Sequence, residues 1–416
     1  MRGPGAPPEL PASARRVKGR GAVDNPANRF ERLHVVNTEW VNGVGPDGEG
    51  PVDAGSEETG AGATGAAATG SPPAGDAAAA SSPETRFYRD ASRTILSRNE
   101  SPEVGFDVSI NPYRGCEHGC IYCYARPTHE YLGFSAGLDF ETRIVVKEDA
   151  AVLLRAKLTS PRWEPQPIAM SGVTDPYQPV ERRLGVTRGC LEVLAEFRNP
   201  VKLITKNHLV TRDVDLLGEL AAHDATAVAV SVTTLDRDLQ RVMEPRTAVP
   251  ERRLDAIRTL ADAGVPVRVM VAPVIPGLTD PEIPSILEAA AEAGATGASW
   301  IMMRLPRGVK GLFSDWLEAH LPDRKRRVLN RVREVRDGSL NDDRFGSRMR
   351  GEGAYADHIR QLFETSCRRV GLDGEAVALS TAAFRRPRQE GQLELFGRGP
   401  PELSGGRRST PGHAAG

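Results

Sequence analysis

Three cysteines, Cys116, Cys120 and Cys123, fall within eight residues of the run NPYRGCEHGCIYCYAR, residues 111 to 126. Thiolates at C-x3-C-x2-C spacing can wrap one face of an iron–sulfur cluster, and offering only three ligands leaves a fourth iron open to bind something else. The chemistry this points to is redox work at a substrate-accessible iron. A zinc knuckle completed by His118 is the competing reading, but structural zinc sites pair their C-x2-4-C knuckles across a long loop, and the second pair is missing here. Gly115 and Gly119 precede the first two cysteines, and glycine lets a loop curl tightly around a metal. The other two cysteines, Cys190 and Cys367, sit in helix-like words, VTRGCLEVLAEF and FETSCRRVG. A lone cysteine there is a small apolar group, and neither is assigned a role.

The cysteine run resembles the radical S-adenosylmethionine (SAM) superfamily. Its flanks, NPYRGC and CYAR, are similar to the spore photoproduct lyase group, also called DNA repair photolyase-like proteins, and the resemblance covers about residues 104 to 305. It implies that Cys116, Cys120 and Cys123 hold a [4Fe–4S] cluster whose unique iron SAM chelates. An electron donor such as flavodoxin or ferredoxin would reduce the cluster, SAM homolysis would yield a 5′-deoxyadenosyl radical, and that radical would abstract hydrogen from a substrate. The protein in such sites orients and shields the cofactor. The resemblance further implies cofactor-binding roles for Tyr122, for Thr174 in SGVTDPYQPVE, for Lys206 at the end of VKLITK and for Ser231. Thr174 and Lys206 lie 32 residues apart, which supports the register. As a bland alternative, Thr174 and Ser231 could satisfy local backbone groups, as short hydroxyl side chains often do.

Two catalytic candidates follow. Tyr124, beside the last cysteine, resembles a tyrosine that relays hydrogen atoms in the lyase, although tyrosines also fill space at such mouths. Asp175 heads the word DPYQ, residues 175 to 178, where an acid and an exposed Tyr177 would suit substrate contact. The turn APVIPGLTD, 272 to 280, could approach adenine closely. One departure from the lyase matters. Its hydrogen-donating cysteine stands two residues before the Thr174 equivalent, and here that position is Gly172. The function expected is therefore a radical SAM enzyme acting on a DNA-related substrate, but not a true spore photoproduct lyase. An enzyme modifying RNA, protein or a small molecule, and a non-catalytic DNA-associated iron–sulfur protein, are the alternatives.

The elements that must position these groups read as parallel βα units, because apolar runs of strand length alternate with helical stretches from residue 104 onward. Strand candidates are 106–110, 167–172, 201–206, 227–234, 265–273 and 298–304. Helices are expected over Thr187 to Phe197, Thr211 to Ala222, Pro250 to Ala263 and Pro281 to Ala293, the last two closed by Gly264 and Gly294 as C-caps. Six such units suit an α/β fold, a partial (β/α)6 TIM-type barrel, with chemistry at the C-terminal ends of its strands.

Four regions follow from composition. Residues 1–84 read as a mostly disordered N-terminal arm and Gly/Ala/Ser/Pro linker, 85–310 as the core domain, 311–386 as a helical basic extension and 387–416 as a disordered tail. Within the arm, residues 18 to 32, opening on KGRGAVDNPANRFE, resemble the N-terminal segment of one subgroup of the photolyase-like proteins and read equally as a docking arm or a basic tail. In the extension, residues 324 to 369 carry 13 Arg plus Lys against 7 Asp plus Glu. The word RFGSRMRGEG (344 to 353) could contact phosphates, or the block could be a solvated helical cap. In the tail, QLELF resembles the peptide by which bacterial polymerases and repair proteins dock on the sliding clamp, with Leu393, Leu395 and Phe396 as anchors and Gln392 making polar contacts. Chance apolar content is the alternative.

A net charge of −1 excludes a globally basic nucleic-acid binder. Arginine (47) far outnumbers lysine (7), a pattern that GC-rich coding explains. No 18-residue apolar run and no hydrophobic leader are seen, so a cytoplasmic protein with no membrane partner is expected. Clustered cysteines in such a chain argue for a metal centre, not for disulfides.

Overall fold

The computed structural model describes residues 19–26, 28, 83–375 and 377–387. The QLELF peptide and nearly all of the linker lie outside these residues.

Ten strands are present among the described residues: β1 (Arg86–Arg89), β2 (Leu96–Arg98), β3 (Val108–Ile110), β4 (Tyr113–Arg114), β5 (Arg143–Val146), β6 (Ile168–Met170), β7 (Val201–Thr205), β8 (Thr226–Ser231), β9 (Val267–Val274) and β10 (Ala298–Met302). Seven form one sheet in the order β10-β9-β8-β7-β6-β3-β2. The strands from β3 to β10 in that sheet pair in parallel, and β2 adds an antiparallel edge on β3. The six strands expected from sequence are the six parallel ones, joined in chain order. The sheet is open, since β2 and β10 end it without pairing to each other. A second, three-stranded sheet, β1-β5-β4, flanks the cysteine run.

Alternation along the long strands explains how the sheet is built. In β7, Val201 and Leu203 are buried, while Lys202 and Ile204 between them are half-buried. The same alternation recurs in β8, β9 and β10. Successive side chains of a strand face opposite sides, so the buried set meets the helices and the half-buried set lines the other face. Helix Val186–Phe197 shows the matching pattern, burying Thr187, Cys190, Leu191, Leu194 and Phe197 at helical spacing. It packs with Val214–Ala221, Pro250–Asp262 and Ile283–Glu292 in one core that includes Val228, Val230, Val267 and Val269. Each such aliphatic side chain contributes about 1.5–3 kcal/mol on full burial. The two expected glycine stops are present, with Gly264 at φ +73° and Gly294 at φ +93°.

The basic block after residue 324 differs from its sequence reading. It is not helical throughout: helix Pro322–Glu334 and helix Ala354–Val370 bracket an irregular loop that holds the whole of RFGSRMRGEG. The arginines of this loop are largely occupied within the protein. Arg348 pairs with Glu103, Arg350 donates to the Trp300 carbonyl at 2.6 Å, and Arg344 chelates Asp342 at 3.0 Å. Buried Arg336 binds the carbonyls of Ser347 and Met303 at 2.9 and 2.7 Å. Much of the loop's charge thus serves its own folding, and solvated arginines include Arg324, Arg326 and Arg327 of helix Pro322–Glu334. No described helix is long and apolar enough to cross a membrane.

Candidate cluster and cofactor site

The cysteine loop follows β3 and β4, so it arises at the C-terminal edge of the parallel sheet, where the loops after β6, β7, β8 and β9 also gather. Its backbone is tight for a stated reason. Gly115 and Gly119 adopt φ +78° and +69°, and a Cβ on Gly119 would lie 2.8 Å from Glu141 Oε2, so no other residue fits there without displacement. Arg126, fully buried, fills the loop from within: its guanidinium donates to the Cys120 carbonyl at 2.9 Å, to the Gly137 carbonyl at 2.9 Å and to Glu141 Oε1 at 2.5 Å. The Cys116 amide is held by the Phe140 carbonyl at 2.8 Å.

Cys116 and Cys120 are buried and Cys123 is half-buried, with all three thiols unbridged. Burial, joined by the neighbouring thiols, pushes Cys123 up to about 11 and Cys120 well above its usual value. Such thiols need a cationic centre to ionise, as a cluster's irons would provide. Among the described residues no three His, Cys, Asp or Glu side chains converge on one metal ion. A single ion requires its sulfur ligands within about 2.3 Å of one point, whereas in a [4Fe–4S] cluster each thiolate binds its own iron. The three thiols on one glycine-shaped loop fit the second demand.

His118, the fourth ligand in the zinc reading, is buried and turned to other work. Its Nδ1 lies 3.4 Å from Asp175 Oδ2, and its Nε2 lies 3.1 Å from Asn207 Nδ2. Burial disfavours the charged ring, but the Asp175 carboxylate and the Cys116 thiol outweigh it and lift the ring to about 10.

The remaining sequence candidates separate into two groups. Lys206, just past β7, points into the site: its Nζ donates to the Ala272 carbonyl at 2.7 Å, approaches Thr233 Oγ1 at 3.4 Å and lies 5.9 Å from the Tyr122 ring centroid. Burial, reinforced by Arg253, lowers its amine to about 8 against the pull of the nearby thiols. Tyr122 packs in the same place, its hydroxyl bonded to Glu244 and within 3.3 Å of Thr233 Oγ1. Ser231 ends β8, opposite Met270 of β9, on the half-buried face shared by Ala227 and Ala229.

Thr174 and Asp175 are occupied differently. The Thr174 hydroxyl donates to the Gly115 carbonyl at 2.8 Å and accepts from Gln178 Nε2 at 3.1 Å, which ties the end of β6 to the cysteine loop. Asp175 accepts from Thr205 Oγ1 and from the Lys206 amide, both at 2.7 Å, so its carboxylate braces the end of β7. Tyr177 was expected to be exposed, but it is 0% exposed and bonds Asp213 Oδ2 at 3.0 Å. Asp213 lies 36 residues away, a partner that no local pattern announces. Tyr124 does face outward. It is 50% exposed, donates to the Gly172 carbonyl at 2.6 Å and carries the Arg304 guanidinium 5.4 Å from its ring centroid.

Two carboxylates central to the site were missed in the sequence. Fully buried Glu244 gathers Tyr122, Thr233 and Arg253, with Lys206 Nζ 3.7 Å away. Glu141 anchors Arg126 under the loop. Neither stands in a distinctive word.

An open parallel sheet carries a three-thiol loop and a half-buried lysine at its C-terminal edge, an α/β architecture with a candidate iron–sulfur site. Residues 110–290 match the family model of the radical SAM superfamily. The chain is 40% identical over 232 residues to an uncharacterised protein of Mycobacterium tuberculosis, covering 55% of this chain and 67% of that one. An uncharacterised protein of Methanocaldococcus jannaschii is 31% identical over 184 residues, 44% of this chain and 66% of that one. Among solved structures, spore photoproduct lyase complexed with dinucleoside spore photoproduct is similar at a TM-score of 0.47 and 15% identity, covering 68% of this chain and 79% of that chain. The chain belongs to the radical SAM superfamily. It is an enzyme, and its family uses a [4Fe–4S] cluster and SAM.

Proposed function

We propose that Cys116, Cys120 and Cys123 hold the [4Fe–4S] cluster and that the enzyme uses SAM to abstract hydrogen from a DNA-related substrate in the cytoplasm. The observation that carries this reading is the placement of the three-thiol loop beside Lys206 and Tyr122 at the C-terminal edge of the sheet, the edge where parallel α/β folds bind ligands. When bound, the cluster and SAM supply a radical able to remove a substrate hydrogen. The chain's own residues bind and orient. Lys206 offers an ammonium to the methionine end of SAM, Tyr122 holds Glu244 beside it, and Ser231 presents a hydroxyl from β8. Thr174 and Asp175 act one step back, bracing the cysteine loop and Lys206. The six parallel strands are the set a partial barrel needs, and their half-buried face would line its interior.

Tyr124, exposed and next in sequence to Cys123, is the residue we assign to substrate contact or hydrogen relay. Gly172 supports a reaction other than the lyase's. It stands at φ +137°, a backbone conformation in which an L side chain is strained, so a hydrogen-donating thiol has no ready place there. DNA is favoured by the NPYRGC and CYAR flanks and by the clamp-like QLELF word.

Anaerobic reconstitution tests the cluster. The chain should take up about four irons and absorb broadly near ~400 nm, and Ala at Cys116, Cys120 or Cys123 should abolish both. Stoichiometric zinc without iron would falsify the assignment. With flavodoxin or ferredoxin as reductant, SAM cleavage should rise with DNA more than with RNA, peptide or small-molecule pools. Stimulation by another pool redirects the substrate, and no cleavage under any condition leaves a non-catalytic iron–sulfur protein.

A further inference from the structure

We propose that residues 20–26 together with Asn28 form a strap that positions the cysteine loop, so that a segment lying before a Gly/Ala/Ser/Pro tract completes the site. This rests on the reading of the loop as the cluster loop. The central contacts are made by the strap's backbone amides and are buried. Gly21 and Ala22 donate their amides to the two oxygens of Glu141 at 3.0 and 2.8 Å. The same carboxylate holds Arg126, whose guanidinium binds the Cys120 carbonyl. Strap, carboxylate, arginine and cysteine backbone thus form one chain of charge-assisted bonds in a site without solvent.

Glycine is required where the strap crosses the loop. A Cβ on Gly21 would lie 1.8 Å from the Gly119 carbonyl oxygen, and a Cβ on Gly137 would lie 2.1 Å from that of Asp24. A backbone carbonyl can be approached this closely only by a residue without a side chain. Around that crossing the strap is fastened on both sides. Arg20 donates to the carbonyls of Glu141 and Pro83 at 2.9 and 2.8 Å, tying the strap to the chain that re-enters before β1. Asn25 pairs with Asp139, and Asn28 donates to the Phe134 carbonyl at 3.0 Å. Ala22 is fully buried in the apolar cluster that contains Cys120, Ile121 and Trp316. Residues 20–26 and Asn28 therefore form a second wall for the loop. The small and turn-forming residues among them are what a close backbone crossing demands, and the arginine works inward, not on a partner.

The test is thiol accessibility in the metal-free full-length chain, followed by iodoacetamide labelling with site-resolved mass spectrometry. Cys190 and Cys367, buried in the main core, report whether the rest of the fold is intact. Gly21→Val, which cannot keep the crossing, should raise labelling of Cys116, Cys120 and Cys123 by about tenfold or more, as local opening does, and leave Cys190 and Cys367 slow. The double variant Asn25→Ala/Asn28→Ala introduces no clash and should give a smaller rise confined to the same three thiols. After reconstitution, both variants should lose iron to a chelator faster than wild type. Unchanged labelling of the loop cysteines in both variants overturns the proposal, as does labelling of Cys190 in step with them in both. The labelling result stands on its own if the loop proves to hold no cluster, so failure of the strap and failure of the cluster reading are told apart.

Discussion

At Lys206 a half-buried ammonium is surrounded by a carbonyl, a threonine hydroxyl and an aromatic face, with a carboxylate, Glu244, at 3.7 Å that is already engaged by Arg253. An incoming carboxylate would give it a better-matched partner. Lys206→Ala should therefore weaken SAM binding by about 1.5–3 kcal/mol, tenfold or more by isothermal titration, while iron content and visible absorption stay as in wild type. Equal affinity would break the assignment. The ligand candidates at this scale were legible because each stands in a compact word: three cysteines in eight residues, and a lysine closing an apolar run. What those words could not convey was direction. The Thr174 hydroxyl turns back to the Gly115 carbonyl, and Tyr177 turns inward to Asp213. Glu141 and Glu244 escaped notice because their partnerships are tertiary: Glu244 meets Tyr122 across 122 residues and Glu141 meets Gly21 across 120.

Elements show the same division between pattern and packing. The six parallel strands could be read because five or more residues of alternating burial, or short apolar runs between helical words, leave a period in the sequence. Strands of two to four residues, such as β1, β4 and β5, leave none, and the flanking three-stranded sheet went unseen. The loop between helices Pro322–Glu334 and Ala354–Val370 was not foreseen for a different reason: a count of charges carries no information about where guanidinium groups point. Asp342 is its keystone. It accepts from the Arg344 amide, Nε and Nη2, each at 3.0 Å, and from Ser347 Oγ at 2.5 Å. Hydrogen bonds from Arg344, outweighing desolvation, hold its carboxyl well below the usual range. A depressed carboxylate stabilises the fold above its unfolded pKa and loses that contribution as pH falls through its folded value. Hydrogen exchange of residues 342–352 should accordingly be flat from pH 7 to 5, after correction for intrinsic rates, and the loop should loosen only as the medium falls below about pH 4. Asp342→Asn should show the loosened exchange already at neutral pH. A loop that opens between pH 7 and 5, or an Asn variant as protected as wild type, would contradict this account.

On the scale of the whole molecule the reading is of a catalytic unit with a recruiting tail. Replacing Leu395 and Phe396 together by Ala should weaken binding of the full chain to the bacterial sliding clamp by about thirtyfold, since loss of such anchors commonly costs ~2 kcal/mol or more. SAM cleavage should be unchanged, because the peptide lies outside the βα pattern. Surface plasmon resonance decides it, and equal clamp binding by the double variant removes the replication link. The bond from Arg126 to the Cys120 carbonyl, secured by Glu141, bears on the life of the enzyme in air. In small zinc domains the metal supplies the folding free energy, and its loss unfolds the chain. Here the loop's shape is carried by a buried arginine, by glycines and by a carboxylate, none of which is among the proposed cluster ligands. Oxidative loss of the cluster would thus leave a folded apoprotein with its three thiols still in place. Such a molecule can be recharged with iron and sulfide and returned to service, where one that depended on its metal for shape would be cleared by proteolysis and made again.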